Sequence, residues 1–390
     1  MKSILLGFFE QFWLLVRERR LRLLVLLFLV GSALTLAVFH SKAVRDQPIV
    51  VIDADNTKVT RLIRLSIEST PELTIIEEQP SSLEEAQLWL DEGRVSAIVL
   101  LPAGLTRDVK LARKGKALFA IDASNILLGK LAYKALFKVF NTLSIGVQAQ
   151  FLRKIGEIGE RPIARAAPLT VEDTASYNVY FSYAAYLGPA LLFFFLHIFL
   201  VVLATHSYLP TLGAISFTRR LGRELATWIV GVAMGLFLLY GLLPLEGISP
   251  QVPLWPCAAL LLAFCLADLL MVAACQALLP STMIAFQLSV LITMLSMMLA
   301  GVTFPADAFP PLLQRVSEAI PFTPFARGIK LILQEPKAFK GLVGCFDQLG
   351  RQSLALLAIA GAGFSVRAVW ARVRRRRVGA SAAQAGGAPC

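Results

Sequence analysis

The chain has few of the residues that mark a soluble or disulfide-stabilised protein. Only 16% of its 390 residues are charged, and it contains 5 cysteines and 3 histidines. Cys257, Cys265 and Cys275 fall within one apolar run, and the segment 40–180 has none, so that segment must fold without disulfides. Gly-x-x-x-x-Gly-Lys-Ser/Thr, His-Glu-x-x-His, Cys-x-x-Cys and Gly-x-Ser-x-Gly motifs are also absent. We therefore expect no catalytic, cofactor-binding or metal-binding residues on this chain.

Hydrophobic residues dominate instead, at 56% of the chain with a mean hydropathy of +0.67. This is too apolar for soluble domains and typical of an integral membrane protein. Apolar runs near the length of about 20 residues that crosses a bilayer lie at 21–39 and near 183–205, 225–243, 256–279, 284–302 and 352–371. The first run is long and no small-residue cleavage site follows it, so we interpret it as a retained anchor. The sequence predicts six transmembrane helices.

Arginines cluster at three places beside these runs. They are Arg17, Arg19, Arg20 and Arg22 before the first run, Arg219, Arg220 and Arg223 between the second and third, and Arg372 and Arg374 to Arg377 after the last. The positive-inside rule makes all three places cytoplasmic, which puts 40–180 in the periplasm. The net charge of +12 then orients the chain and attracts anionic lipid, and needs no nucleic-acid partner. Residues 1–20 form a cytoplasmic segment, and 372–390 a basic, disordered cytoplasmic tail.

Between the first and second runs, short strands alternate with helices. Strand patterns are "PIVVID", "LTIIE", "VSAIVLL" and "ALFAID", and helices separate them before one long amphipathic helix at 125–158. This alternation predicts an α/β domain with a largely parallel sheet within 40–180. The fold class is thus an α-helical bundle of six transmembrane helices with an inserted α/β periplasmic domain.

Asp53 and Asp55, in "VVIDADNT", lie where the first strand ends and a helix begins. At such a place Asp side chains accept backbone N–H groups that the helix leaves unpaired, and "IDASN" from Ile121 repeats the device. The alternatives are a metal or ligand site and the Asp-x-Asp motif of a sugar-nucleotide transferase, which would need a nucleotide pocket. We favour the cap interpretation.

Several motifs resemble the permease subunits of type-2 ATP-binding cassette exporters, in the subgroup with a large periplasmic domain between the first and second spans. The resemblance covers nearly the whole chain. It rests on "VVIDADNTKVTRLI", "EEAQLWLDEGRVSAIVLLPAGLTRDV" and "FAIDASN", on "YNVYFSYAAYLGPALL" at the second span, and most specifically on "LAGVTFPADAFPPLLQRVSEAIPFTPFARGIK". In that signature a span ends in Gly, a Phe-Pro pair follows, and two short Pro-bounded helices dip back into the outer leaflet.

The resemblance implies a multi-pass protein of the bacterial inner membrane that exports a hydrophobic or amphipathic substrate such as a lipid or drug. Its partners would be a separate ATP-binding cassette ATPase that holds ATP and Mg²⁺, a second permease chain in a homo- or heterodimer, and a periplasmic adaptor. The 181–371 region would form the other five spans. A non-transporting membrane receptor or assembly scaffold, whose periplasmic domain binds an envelope ligand, is the alternative.

The loop after the second span is where members of this group dock onto the ATPase. Here it reads "ATHSYLPTLGAISFTRRLGRELATW", with Thr211 and Gly213 but without the usual Glu-x-x-x-Gly-Thr element. Arginines and a carboxylate remain available for charge-assisted hydrogen bonds. We predict docking through Arg219, Arg220, Arg223 and Glu224; the alternative is that the arginines only orient the protein in the membrane.

Polar residues inside the spans suggest a second candidate site. Asp268 lies near the middle of the fourth span, where a charge costs about 2.5–3.5 kcal/mol on insertion scales. His197 lies at similar depth in the second span, and Gln287 lies in the fifth. We predict that these three form an intramembrane polar cluster, which either fixes helix packing or contacts substrate or protons.

Prolines bound short segments in 303–335 that are too short to cross a bilayer. Irregular backbone at membrane depth is tolerated only where protein or water covers it. The region therefore suits an outer gate made of re-entrant helices, with a plain surface loop as the alternative. The predicted gate residues are Gly301, Phe304, Pro305, Pro310, Pro321 and Pro324.

Overall fold

The computed structural model describes residues 2–39, 45–111, 113, 115–154, 183–209, 216–334 and 339–385. The chain divides into two compact units, Met1–Lys42 with Ala175–Cys390, and Ala43–Thr174. Several parts of the sequence discussed above lie outside the described residues: His40, Thr211, Gly213, the end of the predicted helix at 155–158, the start of the "YNVYFSYAAYLGPALL" motif and residues 386–390 of the tail.

Helices make up the first unit, and the second combines helices with four strands. The described helices are α1 (Lys2–Arg17), α2 (Arg19–Phe39), α3 (Lys58–Glu68), α4 (Leu83–Asp91), α5 (Leu105–Lys110), α6 (Ile126–Lys154), α7 (Tyr183–His206), α8 (Phe217–Phe237), α9 (Leu254–Leu278), α10 (Thr282–Leu299), α11 (Pro311–Ala319), α12 (Phe322–Gln334) and α13 (Phe339–Ala385). The strands are β1 (Gln47–Asp53), β2 (Leu73–Ile75), β3 (Ala97–Leu101) and β4 (Leu118–Ile121).

Six helical stretches of the described chain are long and apolar enough to cross a membrane, which agrees with the predicted number. They are Arg19–Phe39, Ala185–His206, Phe217–Glu246, Leu254–Leu278, Thr282–Leu299 and Phe339–Val369. The third extends α8 through a π-helical turn at Leu238–Leu242 and a 3-10 turn at Leu243–Glu246. The first unit is therefore an α-helical membrane bundle.

The core of this bundle is built around α9, which packs against α7, α8, α10, α12 and α13. Apart from Asp268, α9 is almost entirely apolar, as expected of a membrane span that other helices or lipid surround. Phe264 of α9 is fully buried and stacks on Phe325 of α12, with ring centroids 3.8 Å apart. This packing fixes α12 against the middle of the bundle.

The last helix is longer than its apolar part. It continues from the final span through residues 372–385, so the prediction of a disordered tail is wrong for this stretch. Arginine and alanine fill much of this stretch, and both have high helix propensity, so the helix of the span can extend into it.

The second unit has one sheet with strand order β2-β1-β3-β4. Strand β1 pairs in parallel with β2 and β3, whereas β4 pairs antiparallel to β3. Side chains alternate between the faces of β1: Ile49 and Val51 pack with α3 and α6, and Val50 packs with α4. The largely parallel sheet is as predicted, except at β4. The helix between β3 and β4, α5, has six residues and begins after Gly104 (φ +85°), so it is shorter than the helix that the sequence "PAGLTRDVKLARKG" (102–115) predicts.

The carboxylates of "DAD" accept backbone hydrogen bonds, as the cap interpretation predicts. Asp53 Oδ1 accepts from the N–H groups of Asp55 and Asn56, at 3.0 and 2.8 Å. Asp55 instead caps a helix distant in sequence: its oxygens accept from the N–H of Gly104 at 2.7 Å and of Thr106 at 3.0 Å. Hydrogen bonds from Thr106 lower the pKa of Asp55. The side chain of Asp55 therefore ties the end of β1 to the start of α5.

The helix that follows "DAD", α3, has its own cap. Thr57 accepts from the N–H of Thr60, and the Thr60 hydroxyl accepts from the N–H of Thr57 at 2.9 Å.

In the part of the chain that the structure describes, no three His, Cys, Asp or Glu residues are grouped as a metal ion would need.

Candidate functional site

Two of the arginines predicted to dock a partner bind Glu10 of the N-terminal helix. Arg219 donates twice, from Nε to Oε2 at 2.8 Å and from Nη2 to Oε1 at 2.6 Å. Arg223 Nη2 lies 3.0 Å from Oε2, and only 3% of the Arg223 side chain is exposed. The hydrogen bond from Arg219, joined by that from Arg223, lowers the pKa of Glu10. One carboxylate therefore holds α1 to the start of α8.

The two helices also approach closely because glycines lie where they meet. A Cβ added at Gly7 would overlap the carbonyl oxygen of Arg219, and one at Gly222 would overlap that of Ile4. One turn farther along, the buried Gln11 donates from Nε2 to Thr227 Oγ1 at 3.3 Å. The prediction of a cytoplasmic segment at 1–20 does not include this contact, which depends on a helix more than two hundred residues away.

The other two predicted docking residues also have neighbours within the chain. The guanidinium carbon of Arg220 lies 4.7 Å from the centre of the Tyr208 ring, and burial raises the pKa of Tyr208. Glu224 is half-buried, and its carboxylate oxygens are shielded from solvent. Arg219, with 47% of its side chain exposed, offers the largest accessible surface of the four. Docking through these residues stays a prediction.

The intramembrane polar residues form a pair. His197 Nδ1 lies 2.8 Å from Asp268 Oδ1, and both side chains are fully buried. The imidazole stacks on Phe322 of α12, with centroids 5.4 Å apart and an interplanar angle of 11°. Gln287 has an exposed side chain, so the buried pair does not include it. The pair joins α7 to α9, and its stacking contact extends to α12.

The predicted gate residues follow the end of α10. Gly301 has φ +76°, a left-handed conformation that lets the chain turn directly after the span. Phe304 is 52% exposed and stacks on Phe309 at 5.7 Å. Pro310 is the N-cap of α11, and Pro324 is buried in the first turn of α12. The remaining two, Pro305 and Pro321, immediately precede a short 3-10 turn and α12.

Side chains satisfy backbone groups in this irregular segment. Gln314 Nε2 donates to the carbonyl of Phe309 at 2.9 Å, and Ser317 Oγ donates to that of Leu299 at 2.6 Å. From α13, Gln352 Nε2 donates to the carbonyl of Glu318 at 2.6 Å. Carbonyls at helix ends and outside helices need such partners wherever water is scarce. Helix α11 is thus fixed to α10 and α13 by specific bonds.

Three elements surround a cavity of about 320 Å³: the first turns of α7, helix α12, and the segment that follows α10. Its lining includes Gly301 and Pro305 of the predicted gate. The rings of Phe193 and Phe322 form an apolar wall of the cavity, and both side chains are almost fully buried. Sequence reasoning found the segment but not the cavity, because the cavity needs α7 and α12 to be adjacent.

The described residues offer helix interfaces, a buried His–Asp pair and a cavity with an apolar wall. No curated protein and no solved structure matches the chain.

The chain does match the model of a protein family, described as ABC-2 family transporter protein, over residues 21–370. This match begins inside the first candidate span and ends just after the last, so it includes all six membrane helices of the described chain. The chain therefore belongs to the ABC-2 transporter family, as the multi-pass membrane permease that an ATP-binding cassette ATPase accompanies.

Proposed function

We propose that this permease is the transmembrane subunit of an exporter in the bacterial inner membrane. It moves a hydrophobic or amphipathic substrate out of the cytoplasm or the inner membrane, and it works as a dimer of two permease chains above two ATPase subunits. ATP and Mg²⁺ bind on the ATPase, and this chain catalyses no reaction. The α/β unit faces the periplasm, where it contacts an adaptor or passes substrate onward.

The observation that carries this proposal is the family match over all six candidate spans. The contacts of α1 and α8 add a route for coupling. A movement of the loop before α8 would pull on Arg219 and Arg223, and through Glu10 on α1. Helix α2 follows α1 after a single residue, so the displacement reaches the first span as well as the third.

The route continues through the bundle core to the cavity. Helix α8 packs on α9, which carries Asp268, and the stack of His197 on Phe322 joins this core to α12. We propose that closure of the ATPase dimer rocks the spans in this way and opens the segment between Phe304 and Pro324.

Stimulation of the ATPase tests the proposal. The permease is reconstituted with its partner ATP-binding cassette ATPase, and hydrolysis is compared for the wild type, Arg219→Ala/Arg220→Ala and Arg219→Lys/Arg220→Lys. The lysine variant keeps the charge that orients the protein but loses the guanidinium geometry. We expect a strong loss of stimulation in the alanine variant and a partial loss in the lysine variant.

Arg315→Ala/Lys340→Ala is the matched control, because it removes two exposed basic residues from α11 and α13. If the wild-type permease neither binds nor stimulates the ATPase, and replacement of 206–224 changes nothing, the exporter function is wrong and the receptor or scaffold function replaces it.

Orientation has a separate test. A reporter fused after residue 100 should report the periplasm, and reporters after residues 215 and 378 the cytoplasm, because the arginine clusters mark the cytoplasmic side. A cytoplasmic signal at residue 100 would contradict both the orientation and the periplasmic placement of the α/β unit.

A further inference from the structure

The cavity beside α12 combines a basic rim with an apolar wall. Arg327 and Lys330 both line it, and their spacing of three residues puts them on the same side of the helix. Asp307 is the acidic residue of the lining, so the two basic groups outnumber it. Neither Arg327 nor Lys330 forms an ion pair with any residue that the structure describes.

Aromatic contacts hold part of this arrangement in place. Lys330 Nζ lies 5.2 Å from the centre of the Tyr186 ring, which positions the ammonium group at the rim. Phe193 and Phe322, at 1% and 0% exposure, give the cavity a rigid wall. A volume of about 320 Å³ is within the range of about 300–1,000 Å³ that small-molecule sites occupy.

We propose that this cavity binds an anionic amphiphile: the acidic group lies against Arg327 and Lys330, and an alkyl chain lies against the apolar wall. A fully polar anion would leave the apolar wall without a partner. Arg327 and Lys330 are exposed, so the acidic group adds a charge attraction at the rim that an uncharged chain cannot supply. Because the cavity lies where the ends of two membrane spans meet, an amphiphile dissolved in the bilayer reaches it by lateral diffusion.

The test measures lipid binding to the purified full-length chain in an uncharged detergent. Native mass spectrometry counts bound 1-oleoyl lysophosphatidate and, separately, monoolein, which has the same chain but no charge. We expect the wild type to prefer lysophosphatidate by about two- to thirtyfold, as two exposed charge pairs allow. Arg327→Ala/Lys330→Ala should lose this preference and keep its affinity for monoolein.

Two further variants separate the site from general charge and from misfolding. Arg315→Ala/Lys340→Ala removes the same charge from helices that do not line the cavity, and should keep the wild-type preference. Ala190→Phe places a ring in the cavity and should weaken both lipids, while leaving the thermal unfolding of the chain near that of the wild type.

The proposal is overturned if Arg327→Ala/Lys330→Ala keeps the preference, if the control variant loses it equally, or if Ala190→Phe binds both lipids as the wild type does. Prior addition of phosphatidylglycerol identifies the source: competition means that a bilayer lipid fills the site, and no competition means that a single-chain ligand does. Because neither ATPase nor nucleotide is present, the result does not depend on the proposed export function.

Discussion

Changing Glu10 to Gln removes the charge that Arg219 and Arg223 share, through two contacts from Arg219 and two from Arg223 (Nη2 at 3.0 Å and Nε at 3.3 Å), while keeping the size of the side chain. Arg223 is 3% exposed, so without Glu10 its guanidinium becomes a buried charge with no opposite charge beside it. Breaking a buried pair costs about 3–5 kcal/mol. Glu10 is 26% exposed and Arg219 47%, so water compensates for part of the loss. We expect Glu10→Gln to weaken the attachment of α1 to α8 by about 2–3 kcal/mol.

Hydrogen exchange of residues 2–17 measures this attachment directly. If α1 must separate from α8 before its amides exchange, a loss of about 2–3 kcal/mol makes the exchange about 30- to 150-fold faster. Glu68→Gln is the control, because it breaks an ion pair with Arg64 in which both side chains are exposed, Arg64 by 40% and Glu68 by 43%. We expect that control to leave residues 2–17 unchanged. Wild-type exchange of residues 2–17 in Glu10→Gln would refute the idea that this carboxylate holds the helix.

Acidification offers a second test of the same carboxylate. Its pKa is lowered from an ordinary value of 4.5, so the ionised form is favoured in the folded protein. Its contribution to stability is therefore fully present above pH 4.5 and is lost as the pH falls through the lower folded value. Exchange of residues 2–17 should accelerate in that acidic range for the wild type, after correction for intrinsic rates, and much less for Glu10→Gln. Equal acceleration in both would assign the effect to other groups.

Three further predictions concern the remaining contacts. Asp55→Ala should destabilise β1 and α5 more than Asp53→Ala does in hydrogen exchange, because Asp55 bonds across the fold and Asp53 bonds locally; equal effects would contradict this. Asp268→Leu should cost about 1–3 kcal/mol in unfolding experiments because it leaves the buried His197 without its partner, and His197→Leu/Asp268→Leu should cost less than the sum of the two single changes; additive costs would contradict this. Gly301→Ala should lower stability by about 1–2 kcal/mol because its φ is +76°; an unchanged melting temperature would argue against that strain.

Features governed by local sequence were predictable. Apolar length identifies spans because the bilayer thickness sets how many residues a helix needs, and six stretches of the described chain meet that requirement. Ser82 precedes the helical pattern "LEEAQLWLDEG" and so predicts an N-cap, and it accepts from the N–H of Glu85 at the start of α4. The antiparallel pairing of β4 was not predictable in this way, because strand direction depends on where the connection crosses the sheet.

Features governed by contacts between distant segments were not predictable. The arginines before the third span have a recognisable charge pattern, and that pattern indicates orientation equally well whether the side chains face a partner or Glu10. Gly7 and Gly222 are separated by more than two hundred residues, and only the folded chain reveals that they lie at one crossing. The sequence therefore gives the identity of the candidate residues but not their partners.

Phe322 connects two features that the sequence treats as unrelated. One face of its ring stacks on His197, which forms the buried pair with Asp268, and the side chain also lines the cavity with the basic rim. Close-packed interiors transmit displacements because they contain little empty volume. A ligand that shifts Phe322 must therefore alter the surroundings of His197, and a change at the buried pair must alter the cavity wall. If substrate or lipid occupies the cavity, the resulting shift of Phe322 acts on the His197–Asp268 pair. From Asp268 the displacement passes along α9 to α8, which packs against it.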